Sequence, residues 1–313
     1  MCATTDPSEF SAAAAGLITS RRNPLVARLR DLHTPRGRRR QGEILLEGTH
    51  LLEEALGLGL MPSLVLATPG WLTAHGPLAA ALPPATVLRP ASVEVLAAAA
   101  STEHPDGVLA TLPPPPPPGG SDTPPPDFVL ALAGLQDPGN LGTLLRTALA
   151  AAVQQVWLEE GADPWQPKVL RASSGAALAL PPRRLGAGAL ADELAAARRR
   201  GLQVLAAVLP SPRWPDPLPY WQRDWTRPTV LLLGNEGRGL AGELAPVVDG
   251  AVTIPHHPAL ESLNVAVAAA PLLLERWRQR SGGGWSPAPG AAPQAAPGTA
   301  AGENAASAPP PIW

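Results

Sequence analysis

Residues 128–151 read Phe128-Val129-Leu130-Ala131-Leu132-Ala133-Gly134-Leu135-Gln136-Asp137-Pro138-Gly139-Asn140-Leu141-Gly142-Thr143-Leu144-Leu145-Arg146-Thr147-Ala148-Leu149-Ala150-Ala151. The first five form a continuous apolar run of buried-strand length. Asp137-Pro138-Gly139 is turn chemistry, and Leu141 to Ala151 carries apolar residues at helical spacing. The alternation continues outward. Gln155 to Leu158, Gln203 to Val208, Thr229 to Leu233 and Ala251 to Ile254 are further strand candidates, separated by helix-compatible stretches such as Ala189 to Arg200. Apolar strands without a polar face, alternating with helices, predict a mostly parallel sheet covered on both sides.

Upstream, the proline-rich stretch at 113–127 can form neither helix nor central strand and predicts a semi-rigid extended linker. Before it, residues 17–112 read as a smaller α/β unit. Its predicted elements are a helix over Ile18 to Leu32 with Thr19 and Ser20 as caps, a strand at Glu43 to Leu46, a helix at Thr49 to Leu58, a strand at Ser63 to Ala67 and a helix at Val93 to Ala100. Residues 128–280 form the second domain. Residues 1–16 and 281–313 lose all apolar periodicity and read as disordered tails.

Composition narrows the function. The net charge of −2 conceals a basic N-terminal stretch offset by carboxylates elsewhere, so the whole-chain charge says little about partners. A single cysteine, Cys2, excludes an internal disulfide and a thiolate metal cluster and fits a reducing cytoplasm. No run of about eighteen apolar residues exists to span a membrane.

Three corners follow the apolar runs of the second domain: Leu135 to Gly142, Gly234-Asn235-Glu236-Gly237-Arg238-Gly239-Leu240, and Ile254-Pro255 leading to Glu261-Ser262-Leu263-Asn264-Val265. Loops at the carboxyl ends of strands are where open α/β sheets bind ligands. Gly234, Gly237 and Gly239 would let a ligand approach the main chain, although a plain strand-to-helix turn also explains them. Neither the dinucleotide fingerprint nor a phosphate loop is present.

With their order and spacing, these motifs resemble the SpoU or TrmH-like branch of the SPOUT RNA methyltransferases. Arg171-Ala172-Ser173-Ser174-Gly175-Ala176 is similar to a further family segment. Ile18-Thr19-Ser20, Asn23-Pro24 and Leu46-Glu47-Gly48 look like the family's substrate-binding extension, a small ribosomal-protein-like α/β domain. The resemblance implies a deep trefoil knot, against the general rule that chains avoid threading. It implies a homodimer with composite active sites and binding of S-adenosylmethionine in the knot, against Leu233, Gly234, Asn235, Ile254, Pro255 and Leu263. It also implies transfer of a methyl group to a ribose 2′-hydroxyl of structured RNA, with ribosomal RNA favoured over transfer RNA. A non-catalytic RNA-binding assembly factor of the same fold is the alternative.

The same resemblance gives catalytic or substrate-facing roles to Arg146, Asn140, Glu236, Ser262 and Asn264. Each has a plainer reading. Arg146 could sit on a solvated helix face. Asn140, Ser262 and Asn264 could be helix caps. Glu236 could neutralise Arg238 or an arginine of a partner chain. A sulfonium methyl is already electrophilic, so positioning the hydroxyl and stabilising its developing charge are the main demands. A protonated guanidinium at Arg146 suits charge stabilisation better than base catalysis. For RNA capture the candidates are Arg21, Arg22, Asn23, Arg38, Arg39, Arg40 and Glu47, within a cluster that also holds Arg28, Arg30 and Arg36. Trp214, Tyr220, Trp221 and Trp225 could stack on bases or pack on the sheet edge. His256 and His257 lack partners at ligand spacing, so a metal is not expected and contact with RNA is the reading.

Overall fold

The computed structural model describes residues 16–119 and 124–282. The central part of the proline-rich segment and nearly all of both expected tails lie outside the described residues. The first unit comprises α1 (Pro24–Asp31), α2 (Pro35–Gln41), β1 (Ile44–Glu47), α3 (Thr49–Gly57), β2 (Leu64–Ala67), α4 (Pro69–Ala74), α5 (Gly76–Ala80), β3 (Val87–Pro90), α6 (Val93–Ala99) and β4 (Val108–Leu112). Its sheet runs β1-β4-β2-β3, with only the β2–β3 pair parallel.

The second unit comprises β5 (Phe128–Ala133), α7 (Pro138–Ala150), β6 (Gln155–Glu159), α8 (Pro167–Ala172), α9 (Ala176–Ala179), β7 (Arg183–Leu185), α10 (Ala189–Arg199), β8 (Gln203–Ala207), β9 (Leu218–Pro219), β10 (Thr229–Leu233), β11 (Gly250–Thr253) and α11 (Val265–Arg280). Its seven strands run β7-β6-β5-β10-β8-β11-β9, and every neighbouring pair is parallel.

Strand period sorts the core. Phe128, Leu130, Leu132, Leu231 and Leu233 face one way and pack with α7, α8, α9 and α11. Val129, Ala131, Val230 and Leu232 face the other way, toward α10. Both faces are therefore buried, which is why these strands read as unbroken apolar runs. The first core continues into Ile44, Leu46, Val65, Ala67 and Ala110 of the smaller sheet, so the two units share one apolar interior.

Two features pin α11. Its N-cap is Asn264, whose Oδ1 accepts from the amides of Ala266 and Val267. Near its other end the buried Arg276 guanidinium donates to the carbonyls of Trp225, Arg227 and Asp127 and lies 4.6 Å from the Phe128 ring centroid. Among the described residues no helix is long and apolar enough to cross a membrane.

Several local expectations need correction. The first helix starts at Pro24, not Ile18, because Asn23 caps it and Pro24 occupies its first position. Ile18 instead exchanges main-chain bonds with the 90–92 segment. Asp137, rather than Asn140, caps α7, its carboxylate accepting from the Asn140 amide at 2.7 Å. The Arg36–Arg40 cluster is itself a helix, opened by Thr34 and Pro35 and closed by Gly42 in a left-handed conformation. At Trp225 the expectation of packing over base stacking holds, since it is fully buried with its indole N–H donating to the Tyr220 carbonyl.

Candidate functional site

Register brings the ligand corner together. Leu233 of β10 lies beside Ala207 of β8, which lies beside Val252 of β11, so three adjacent parallel strands end at one level. Beyond those ends is a cavity of about 860 Å³. Its wall takes Asn140 from the first motif, Leu233 to Leu240 from the second, and Glu261 to Val265 from the third, with Ile254 and His256 between.

The second loop folds back on itself. Asn235 and Gly239 exchange main-chain hydrogen bonds of 3.0 and 2.9 Å. The Asn235 side chain accepts from the amides of Gly237 and Arg238 and donates to the Gly134 carbonyl at 2.7 Å, tying this loop to the end of β5. Gly234 sits under the fold, where a Cβ would lie 2.4 Å from the Gly239 carbonyl carbon. Here the requirement for glycine is close backbone approach.

A polar chain joins all three motifs, and its direction follows from its end. Asn264 Oδ1 is committed to two helix amides, so its Nδ2 faces Asn140 and donates to Asn140 Oδ1 at 2.9 Å. Asn140 is thereby left with Nδ2, which donates to the Glu236 carboxylate at 3.3 Å. Glu236 also accepts from the amides of Gln136 and Asp137. Burial acts to raise the Glu236 pKa, but hydrogen bonds from its own amide, Asn140, Asp137 and Gln136 outweigh it and hold the carboxyl below the ordinary glutamate range.

The 254–263 strand exit supplies main-chain donors. The amides of Glu261, Ser262 and Leu263 have no hydrogen-bond partner among the described residues. His256 Nδ1 lies 2.7 Å from the Ile254 carbonyl, which can only accept, so Nδ1 carries the proton. His257 Nδ1 instead accepts from the Ala259 amide. No group of three or more His, Cys, Asp or Glu among the described residues could hold a metal.

Of the candidate cofactor residues, Leu233, Gly234, Asn235, Ile254 and Leu263 line the cavity, whereas Pro255 is exposed and outside its wall. Of the candidate catalytic residues, Asn140, Glu236, Ser262 and Asn264 line it and Arg146 does not. Arg146 lies six residues beyond Asn140 on α7, about 9 Å along the axis and roughly 120° around it. It is exposed, with one guanidinium nitrogen 3.0 Å from the Ser174 hydroxyl.

Two RNA candidates are corrected by burial. Arg38 is 6% exposed and donates to the Leu32 carbonyl and to Asp163, 125 positions away on the larger unit. Glu47 is 7% exposed and accepts from Arg171 and from the Ser101 amide. Both are interdomain fasteners. Asn23 is spent on its helix cap, and Arg40 pairs with Asp31. Arg21, Arg22 and Arg39 are exposed, with no ion pair among the described residues.

The segment after β8 is a wall of the site that the motifs do not mark. Ala207 to Leu209 and Ser211 to Trp214 line the cavity, and Arg213 donates to the Leu240 carbonyl at 3.3 Å. The available signal was the carboxyl-end rule applied to β8 as well as β10.

Comparison with known proteins adds to this geometry. Residues 127–274 match the SpoU rRNA Methylase family, and residues 23–110 match the MRM3-like substrate binding domain. An uncharacterized tRNA/rRNA methyltransferase of Synechocystis is 43% identical over 265 residues, covering 84% of this chain and 94% of the relative. The 23S rRNA (guanosine(2553)-2′-O)-methyltransferase RlmP of Bacillus subtilis is 31% identical, covering 82% of this chain and 97% of that protein. An AdoMet-bound rRNA methyltransferase from Sinorhizobium meliloti superposes with a TM-score of 0.73 at 28% identity, over 84% of this chain and 98% of that one.

Proposed function

This chain belongs to the SpoU rRNA methylase family, and from that premise we propose that it transfers a methyl group from S-adenosylmethionine to a ribose 2′-hydroxyl of ribosomal RNA. The observation that carries the reading is the hydrogen-bonded chain Glu236–Asn140–Asn264, which holds three separate motifs around one cavity. The relative from Bacillus subtilis, matched along nearly its whole length, supports ribosomal RNA as the substrate class.

The cavity fits the donor by its own chemistry. Leu233, Ile254 and Leu263 offer apolar surface, the amides at 261–263 are open for hydrogen bonding, and Gly234 leaves the main chain bare. When bound, S-adenosylmethionine supplies a sulfonium-activated methyl group that needs no acid assistance. Ionised Glu236 fixes the Asn140 amide, and Asn140 in turn fixes Asn264 at the head of α11. Ser262 is exposed in the wall as a hydroxyl able to meet the ribose. The Arg146 side chain serves to orient a phosphate and stabilise charge developing on the attacking oxygen.

Arg146 lies outside the cavity of its own chain, and this supports a composite site in a homodimer. The exposed side of α11 carries three large apolar residues, Val267 at 62%, Leu274 at 46% and Trp277 at 48% exposed, with Arg278 and Arg280 exposed at its C-terminal end. An isologous contact over that face is the expected assembly. The trefoil path belongs to the same reading, with the C-terminal segment threaded through a loop. Residues 17–112 act as the substrate-binding domain and 128–280 as the methyltransferase domain. Arg21, Arg22 and Arg39 present the positive charge to RNA.

The test is methyl incorporation from labelled S-adenosylmethionine into ribosomal and transfer RNA by wild type and Arg146→Ala, followed by mapping of the ribose methylation. Incorporation into ribosomal RNA by wild type and its loss in the variant are expected. A wild type that binds the donor yet methylates neither RNA would overturn the reading in favour of a non-catalytic assembly factor.

A further inference from the structure

Ser174 has a backbone that a residue with a side chain rarely adopts, with φ at +47°. Its hydroxyl is the hydrogen-bond partner, among the described residues, of the Arg146 guanidinium. The turn holding it is fixed from within, since the buried Ser173 hydroxyl donates to the Leu170 carbonyl and accepts from the Ala177 amide.

The smaller domain grips the turn on both sides. Before Ser174, Arg171 reaches Glu47 at 3.0 Å and the Ser101 hydroxyl at 2.8 Å. After it, Gly175 takes φ +84° against α3, where a Cβ would lie 2.9 Å from Glu54 Cγ. The segment that touches Arg146 is thus the same segment against which the smaller domain is seated.

We propose that Ser174 is a positioning residue for Arg146: its hydroxyl, held by a left-handed turn clamped against the smaller domain, sets where the guanidinium points when RNA is engaged. This rests on the charge-stabilising role assigned to Arg146 above. An exposed arginine with a long flexible stem samples many rotamers, and one fixed acceptor narrows them.

The experiment compares Ser174→Gly, Ser174→Asn, Arg146→Ala and the Ser174→Gly/Arg146→Ala double variant, as full-length protein, by kcat on ribosomal RNA, S-adenosylmethionine Kd and Tm. Glycine removes the hydroxyl and relieves the left-handed backbone together. A merely structural serine would therefore give unchanged turnover in Ser174→Gly, with equal or higher Tm. Positioning predicts an unchanged donor Kd, an equal or higher Tm and a kcat lower by about tenfold. Asparagine tolerates the conformation and restores an acceptor, so Ser174→Asn should recover part of the rate. The double variant should be no slower than Arg146→Ala alone. Normal turnover in Ser174→Gly with slow turnover in Arg146→Ala overturns the positioning role and leaves the Arg146 reading standing. Additive losses in the double variant also overturn it. Normal turnover in Arg146→Ala overturns the underlying reading instead.

Discussion

Replacing Gly234 by alanine should weaken donor binding without unfolding the protein. The added Cβ would lie 2.4 Å from the Gly239 carbonyl carbon, 2.5 Å from its oxygen and 2.7 Å from the Leu240 nitrogen. Comfortable contacts between such atoms are about 3.5 Å or more, so the two backbone segments must separate by roughly 1 Å. That separation breaks the reciprocal Asn235–Gly239 bonds. Two partly exposed hydrogen bonds are worth about 1–3 kcal/mol together. Since the loop they close is a wall of the cavity, the loss should appear as a Kd for S-adenosylmethionine raised about 10- to 100-fold, measured by titration calorimetry. Tm should fall by only a few degrees, because β10 itself stays paired on both sides and the loss is confined to the loop. Gly186→Ala is the control: an added Cβ there meets nothing within 4 Å and the residue lies off the cavity wall, so its Kd should stay near wild type. A Gly234→Ala variant with wild-type donor affinity would refute the assignment of this loop to the cofactor.

Two further outcomes separate structural from functional charge. Arg38→Ala removes one member of a largely buried ion pair and should cost about 3 kcal/mol, seen as a Tm lowered by roughly 6 °C or more, with no change in the salt slope of RNA binding. Arg21→Ala, Arg22→Ala or Arg39→Ala should leave Tm alone and flatten that slope by about 0.7–0.9 for each phosphate no longer neutralised; an unchanged slope in all three would place the RNA elsewhere. For Glu236 the folded carboxyl titrates below its unfolded value, so its ionised form stabilises the fold above about pH 4.3, and that contribution fades as pH falls through the depressed folded value. The Tm gap between wild type and Glu236→Gln, followed from pH 7 to pH 3, should therefore hold steady down to about pH 5 and then shrink. A gap that widens in acid contradicts the hydrogen-bonded carboxylate.

Much of this molecule is legible in the order of its residues because the determining forces are local. Strands β5, β8 and β10 announce themselves as apolar runs, since burial on both faces leaves almost no polar position. The turn at Asp137-Pro138-Gly139 and the cap at Asn264 are chosen by backbone chemistry within a few residues. The three motif corners were visible for the same reason, and with them most of the residues that line the cavity.

What the sequence could not specify is pairing between distant segments. Periodicity tells which residues are buried, and nothing about what they meet. Arg38 and Arg39 are adjacent in a basic run, yet docking of α2 against the 163 loop turns one inward to an aspartate and leaves the other in solvent. Glu47, expected to face RNA, is a fastener because β1 lies beside α8 and its Arg171. The direction of the Glu236–Asn140–Asn264 chain was equally invisible, because it depends on which helix amides occupy Asn264 Oδ1 once α11 has packed. Tertiary structure alone decided these points, since only the assembled sheet brings residues 124 positions apart to hydrogen-bonding distance.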